Sequence, residues 1–381
     1  MAGKADVTGL VDDLTMQVQE KYPKERIMAL KERMNDFWNR KPASGRIPYV
    51  VWDMWPKNMP KLPEGISRED KCLIEQLQGI IEHADYEDDF FPALSPGVRQ
   101  ITIPSYFGCT EETASASVKV KPAINDPMDV YSLPEAGFGP RTPGGEMLER
   151  MKYWRRMTHG LITLYEADLQ GPFSVASQIW GIQEFLFAIY DNPDEVKHLI
   201  KRCTAAVIEY ARQMNEAAEG DIIPYHCQPA IWYPGERGIA VSEDLAAVVS
   251  PQVVGEFIKP FLEEIAAAFG GVFMHSCGSI NAVLDELCDI EGLVGLNFAA
   301  SETDLDKVVN DLKKPIFIVS HNSPVNRPDL PLLTSVQHAE KCSSLFSEKK
   351  VSGLCIITQV GDGPSLKEQI KAIEQAVMIR E

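Results

Sequence analysis

His275-Ser-Cys277-Gly278 is the segment of this sequence best suited to chemistry. It follows the apolar run Gly271-Val-Phe-Met274 and precedes a helix expected from near Ser279. In an extended segment positions i and i+2 face the same side, so imidazole and thiolate converge. Both are preferred zinc ligands, and zinc takes four ligands, or three plus an open position for catalysis. The plain alternative is a core histidine beside a buried cysteine; the position at the end of an expected strand counts against it. A further ligand has two sources. Cys355, in the expected last strand, is the first choice, and Cys227 with His226, at the end of the expected fourth strand, is the other.

Ser242-Glu243-Asp244 places two carboxylates side by side before a helix-rich stretch. At least one is expected to cap a helix, while the other can serve as acid, base or hydrogen-bond acceptor in a pocket. Glu243, Asp244 and His226 are therefore the candidate catalytic groups. Glu184, taken alone, reads as a solvated helix residue. Aromatic side chains gather where a pocket is expected, at Trp52, Trp55, Tyr106, Trp180 and Trp232, with His321 among them. Such a lining suits a flat apolar substrate better than a polyanion. No P-loop, nucleophile elbow or HExxH helix is present, so nucleotide hydrolysis, serine hydrolysis and that protease chemistry have no support.

Positioning these residues requires strands that end together. Strands are expected at residues 49–54, 100–106, 161–167, 222–225, 272–275, 292–296, 316–319 and 353–358, with helical periods between most of them. Asn192-Pro193 and Ser250-Pro251 supply helix starts, with proline in the first turn. Eight strands with intervening helices predict an α/β fold, a single (β/α)8 TIM barrel over residues 46–381. Residues 1–45 read as an N-terminal helical extension, with Val18, Tyr22, Ile27, Leu30, Met34 and Phe37 as its apolar stripe. In such a barrel the site lies where the strands end. There the sequence places Glu166–Gln170, His226, His275, Asn297 and His321.

Composition narrows the classes. The 381 residues are 45% hydrophobic and 24% charged, which excludes a disordered or fibrous chain. With 37 basic and 55 acidic residues the net charge is −18, and the basic clusters Lys119–Lys121 and Lys313–Lys314 are short. Nucleic acid and anionic membranes are thus excluded as partners. No run approaches the ~18 apolar residues of a membrane helix. The start of the chain carries Lys4, Asp6, Asp12 and Asp13 rather than a secretory signal, and eight cysteines are too few for a disulfide framework. A cytoplasmic enzyme is expected.

The chain also resembles the uroporphyrinogen decarboxylase superfamily. The resemblance rests on Gln170-Gly-Pro-Phe-Ser-Val-Ala-Ser177, Asp191-Asn-Pro193, Val241-Ser-Glu-Asp-Leu245 with Ser250-Pro251, and Phe273-Met-His-Ser-Cys-Gly278. It covers roughly residue 46 to the end and implies the same barrel. The superfamily's decarboxylases carry arginines after the first strand for a polyanionic porphyrinogen. Here residues 51–60 hold no arginine and one lysine, which argues against decarboxylation. The corrinoid-dependent methyltransferase branch is similar in its H-x-C motif. It implies zinc on His275 and Cys277, with Cys355 and Glu184 as the less certain remainder. Thiol-methylating members usually carry a Gly-Cys pair beyond the last strand, where this chain has Gln359-Val-Gly-Asp362.

That departure and the aromatic set favour zinc acting on an ether oxygen, with an aryl methyl ether as leading substrate and its methyl passing to a Co(I) corrinoid. A methylcobamide:thiol methyltransferase of the coenzyme M type is the alternative. A decarboxylase or a non-catalytic corrinoid-binding protein ranks below both. Since a D-x-H-x-x-G signature is absent, the corrinoid is expected on a partner protein docking over the barrel mouth. The N-terminal helices would pack on the barrel, or serve that docking surface or a homodimer contact.

Overall fold

The computed structural model describes residues 2–41, 45–53, 56–97, 99–114, 117–224, 231–314, 316–322, 329–349, 353–359 and 366–379. Two helices, α1 (Ala2–Lys21) and α2 (Lys24–Trp38), precede strand β1 (Tyr49–Trp52). Then come α3 (Arg68–His83), β2 (Ala93–Leu94), the hairpin β3 (Glu111–Ala114) with β4 (Ser117–Val120), α4 (Pro143–Met157) and β5 (Thr163–Tyr165). Helices α5 (Pro172–Trp180), α6 (Ile182–Asp191) and α7 (Pro193–Ala217) lead to β6 (Ile222–Ile223) and β7 (Ile239–Ser242). The short α8 (Pro251–Val253) and α9 (Lys259–Phe269) reach β8 (Val272–His275). The chain closes with α10 (Leu284–Cys288), β9 (Leu293–Ala299), α11 (Leu305–Asp311), β10 (Phe317–His321), α12 (Ser335–Lys349), β11 (Leu354–Gln359) and α13 (Leu366–Ala376).

The architecture is mixed α/β. Six strands pair in the order β1-β11-β10-β9-β8-β7 and three in the order β2-β5-β6, every pair in both sheets parallel. The two sheets meet at a parallel bridge between Gln170 and Ser242, where Gly171 N–H donates to Ser242 O at 2.7 Å. On the other side, aspartates of the segment before β2 satisfy the edge of β1. Asp88 accepts from the Val51 amide at 2.8 Å and Asp89 from the Tyr49 amide at 3.1 Å. Asp89, 1% exposed, also binds Arg33 of α2 and Arg46, which locks the N-terminal helices onto β1.

Two expectations are corrected. Residues 100–106 do not form a strand: Pro104 opens a tight helical turn over Pro104–Phe107, closed by Gly108 at φ 76°. The strand beside β5 is instead the two-residue β2. Second, β7 was not expected. All four of its residues are buried, so it lacks the alternation that marks a half-exposed strand. Gly181, at φ 98°, separates α5 from α6. No described helix is long and apolar enough to cross a membrane.

One end of the six-stranded sheet is apolar. Trp38, at the end of α2, packs on Phe37, Tyr233, Phe273 and Phe317, with ring centroids 4.7–6.3 Å apart. Phe273 lies so close to β9 that a Cβ on Gly295 would stand 2.6 Å from its ring.

Candidate metal centre

At the opposite ends of these strands the chain changes character. His275 is the last residue of β8, 3% exposed, and its carbonyl accepts from the Glu243 amide at 2.9 Å. That bond carries the β7 edge on by one residue and brings Asp244 over to Cys277. Asp244 Oδ1 accepts from the Cys277 amide at 2.8 Å and from Ser242 Oγ at 2.9 Å. His275 Nε2 lies 3.3 Å from Cys277 Sγ and 3.8 Å from Asp244 Oδ1. The three donor atoms all fall within 4.8 Å of one another, the one such group among the described residues.

This spacing fits a metal ion. An ion with bonds of about 2.0–2.3 Å in tetrahedral geometry holds its donors roughly 3.3–3.8 Å apart. One nitrogen, one sulfur and one carboxylate oxygen are ligand types zinc accepts, and three protein donors leave a fourth position open.

Glu243 anchors the segment from below. Its fully buried carboxylate accepts from the Phe173 amide at 3.0 Å, the Ser174 amide at 2.9 Å and Ser174 Oγ at 2.8 Å. Those donors are the first turn of α5, where unpaired amides and the helix dipole favour an anion. Burial pushes the Glu243 carboxyl up to about 7, against these hydrogen bonds and with a further rise from Asp244. The carboxylate occupies the place of a side chain at residue 171: a Cβ on Gly171 would stand 2.2 Å from it.

The ring of His275 is held from its other nitrogen. Nδ1 lies 2.6 Å from Asn297 Oδ1, and Asn297 Nδ2 donates to Val319 O at 2.7 Å. His321, at the end of β10, lies 3.3 Å from Asn297 Nδ2, its ring nearly parallel to that of His275 at 6.0 Å.

The remaining expected residues divide by position. Trp52 ends β1 opposite Gln359, half-buried, at the same ends of the strands as His321. Tyr106 packs on Phe107 and Phe138, and Trp180 on Phe185. Trp232 belongs to the apolar end: its carbonyl accepts from Trp38 Nε1 at 2.9 Å. Glu184 is exposed on α6, its carboxylate folded back towards Gly181 at the start of its own helix. Cys355 shares the face of Val319 and lies on the rung of His275 and Asn297, but on β11, three strands from β8, roughly 14 Å across the sheet at about 4.8 Å per strand. It is fully buried, and burial pushes its thiol well above the ordinary range. Neither Glu184 nor Cys355 joins the three-donor group. Trp55, His226 and Cys227 lie outside the described residues.

Sequence reasoning missed Asp244 as a donor beside His275 and Cys277, and the part played by Asn297. The signal for Asp244 was Ile239-Ala-Val241 after Gly238, a short apolar run that marks a strand and puts the next carboxylates at its end.

Comparison with known proteins bears on fold and family. The uroporphyrinogen decarboxylase family matches residues 102–224. A methylcobamide:CoM methyltransferase of Methanosarcina barkeri is 24% identical over 148 residues, 38% of this chain and 39% of the relative, so the match spans well under half of that protein. Among solved structures, a methyltransferase from Methanosarcina mazei superposes with a TM-score of 0.60 at 18% identity, covering 91% of this chain and 97% of its own. That likeness is one of fold.

Proposed function

We propose a function from one premise: the chain is a member of the uroporphyrinogen decarboxylase-like superfamily, which includes corrinoid methyltransferases. On this reading it is a zinc-dependent methyltransferase that moves a methyl group from a small methylated substrate to the Co(I) corrinoid of a separate protein. The single observation that carries it is the convergence of His275, Cys277 and Asp244 at metal-ligand spacing on adjacent strand ends. We take Asp244 as third ligand in place of Cys355 and Glu184. The two parallel sheets are read as arcs of one (β/α)8 barrel, residues 1–45 as its extension, and the site as its mouth, over which the corrinoid protein would dock. A cytoplasmic location accords with the seven described cysteines, none of which is in a disulfide.

Zinc held by these residues would supply Lewis acidity, either to an ether oxygen or to a thiol. The protein's own groups set which. One thiolate, one imidazole and one carboxylate donate less electron density than a pair of thiolates, leaving the ion more electron-poor and better suited to a neutral oxygen. An aryl methyl ether therefore stays the leading substrate, with Trp52, at the same ends of the strands, as the apolar surface we assign to it and His321 as the polar one. Glu243 holds the Asp244 loop against α5, and Phe273, Phe317 and Trp38 seal the far end from water. A second reading, methyl transfer from methylcobamide to a thiol, is favoured by the name of the Methanosarcina barkeri relative.

Metal analysis tests the premise: about one zinc per chain is expected for a single catalytic site. His275→Ala or Cys277→Ala should lose the zinc. Both should also lower methyl transfer by more than about a hundredfold, beyond what loss of an outer partner costs. Full activity in the zinc-free protein would sink the proposal. Supplying methyl ethers with a Co(I)-corrinoid protein, and methylcobalamin with thiols, separates the two readings by which mixture changes the cobalt spectrum.

A further inference from the structure

We propose that Asn297 is a positioning residue that sets the two mouth histidines in opposite tautomers, turning the lone pair of His275 Nε2 towards the metal donors and leaving the proton of His321 on Nε2. The metal's place in this statement rests on the proposed function; the tautomers do not.

Asn297 is completely buried in β9, and its amide has one nitrogen end and one oxygen end. The Val319 carbonyl, 2.7 Å away, can only accept a hydrogen bond, so the nitrogen must face it. This decides which way the amide points. The oxygen then faces His275 Nδ1 at 2.6 Å. An amide oxygen only accepts, so Nδ1 of His275 carries the hydrogen. Its Nε2 is left with a lone pair, 3.3 Å from Cys277 Sγ, whose S–H can donate to it when no metal is bound. The second hydrogen of the amide nitrogen points towards His321 Nδ1 at 3.3 Å. That nitrogen accepts, so neutral His321 carries its proton on Nε2. Two nearly parallel imidazoles, 6.0 Å apart, thus carry their protons on opposite nitrogens, His275 on Nδ1 and His321 on Nε2.

The decisive measurement is a long-range ¹H–¹⁵N correlation on the metal-free, histidine-labelled full chain at neutral pH, with His275→Ala and His321→Gln used to assign the two rings. The expected result is a protonated Nδ1 on His275 and a protonated Nε2 on His321. A protonated Nε2 on His275 overturns the proposal. Zinc competition with a chromophoric chelator adds the second readout. Asn297→Leu, which removes the acceptor, should bind zinc about 10- to 100-fold more weakly. Asn297→Asp, which keeps an acceptor for His275 Nδ1–H, should hold zinc at least as tightly as the native chain. Equal affinity for native and Leu variants, or an Asp variant as weak as the Leu one, also overturns it. If His275→Ala binds zinc like the native chain, the metal reading fails instead, and the tautomers are still decided by the spectrum. A Leu variant that does not fold leaves the spectrum and the Asp variant to decide.

Discussion

Strands β8 and β10 each carry both ends of the molecule's interior. On β8 Phe273 and His275 are two residues apart on one face; on β10 Phe317 and His321 are four apart on one face. At the Phe end the neighbours are Trp38, Phe37 and Tyr233, a dry aromatic plug closed by α2. At the His end they are Asn297, Asp244 and Cys277, each polar group matched to another. Position around the sheet, as well as along a strand, therefore decides what a residue can do. Cys355 shows this best: it lies on the rung of His275, through Asn297 and Val319, with the right chemistry and the right face, but three strands away.

The comparison can be broken at its apolar end first. Trp38→Ala should cost about 3–5 kcal/mol, the range for truncating a buried aromatic, in denaturant unfolding. Zinc per chain should not change, the reverse of His275→Ala. Loss of zinc with stability intact would mean that the two ends are not separate in function.

The outer face of β10 supplies a subtler contrast. Ser320 points away from His321 and meets His338 Nε2 at 2.9 Å, where His338 is completely buried. Burial, with a smaller contribution from Lys341, pushes the His338 imidazole down from 6.5 to about 3. Between those values the unfolded chain holds a proton that the folded chain does not. Stability is therefore fully present above pH 6.5 and is lost as the pH falls towards 3. His338→Gln should make the acid-side slope shallower by about 1.4 kcal/mol per pH unit, one proton's worth, in urea midpoints between about pH 4 and 6. An unchanged slope would show that His338 is protonated in the fold. The smallest effect is expected at Cys355. Its change to Ala should cost about 1 kcal/mol of stability and leave zinc content as it was; a zinc-free Cys355→Ala protein would restore it as a ligand and end the distinction by strand.

Much of this was legible in the residues. Val272–His275 has the bounds expected from its apolar run, and the proline starts of α7 and α8 stand where Asn192-Pro193 and Ser250-Pro251 put them. These are local signals, written within a few residues. The strand β7 was harder to read, because its signal is only the three-residue apolar run Ile239–Val241 after Gly238, and with it Asp244 lost its place beside Cys277. The expected strand at 100–106 failed for the converse reason: Ile101 and Ile103 are buried as a strand's residues would be, but on turns that Pro104 and Gly108 impose.

By itself, the sequence determined that His275 ends a strand with Cys277 two residues on, since the apolar run Val272–Met274 is a local signal. It also determined an α/β chain of net charge −18 without a polycationic pocket in residues 51–60. Only the tertiary structure decided the third donor, the partner of His275 and the exclusion of Cys355 from the three-donor group. Asp244 lies more than thirty residues from Cys277, and Asn297 about twenty from His275; such distances close only through strand register. Register arises from many weak contacts spread over neighbouring strands, none of which can be read from the two residues that it brings together.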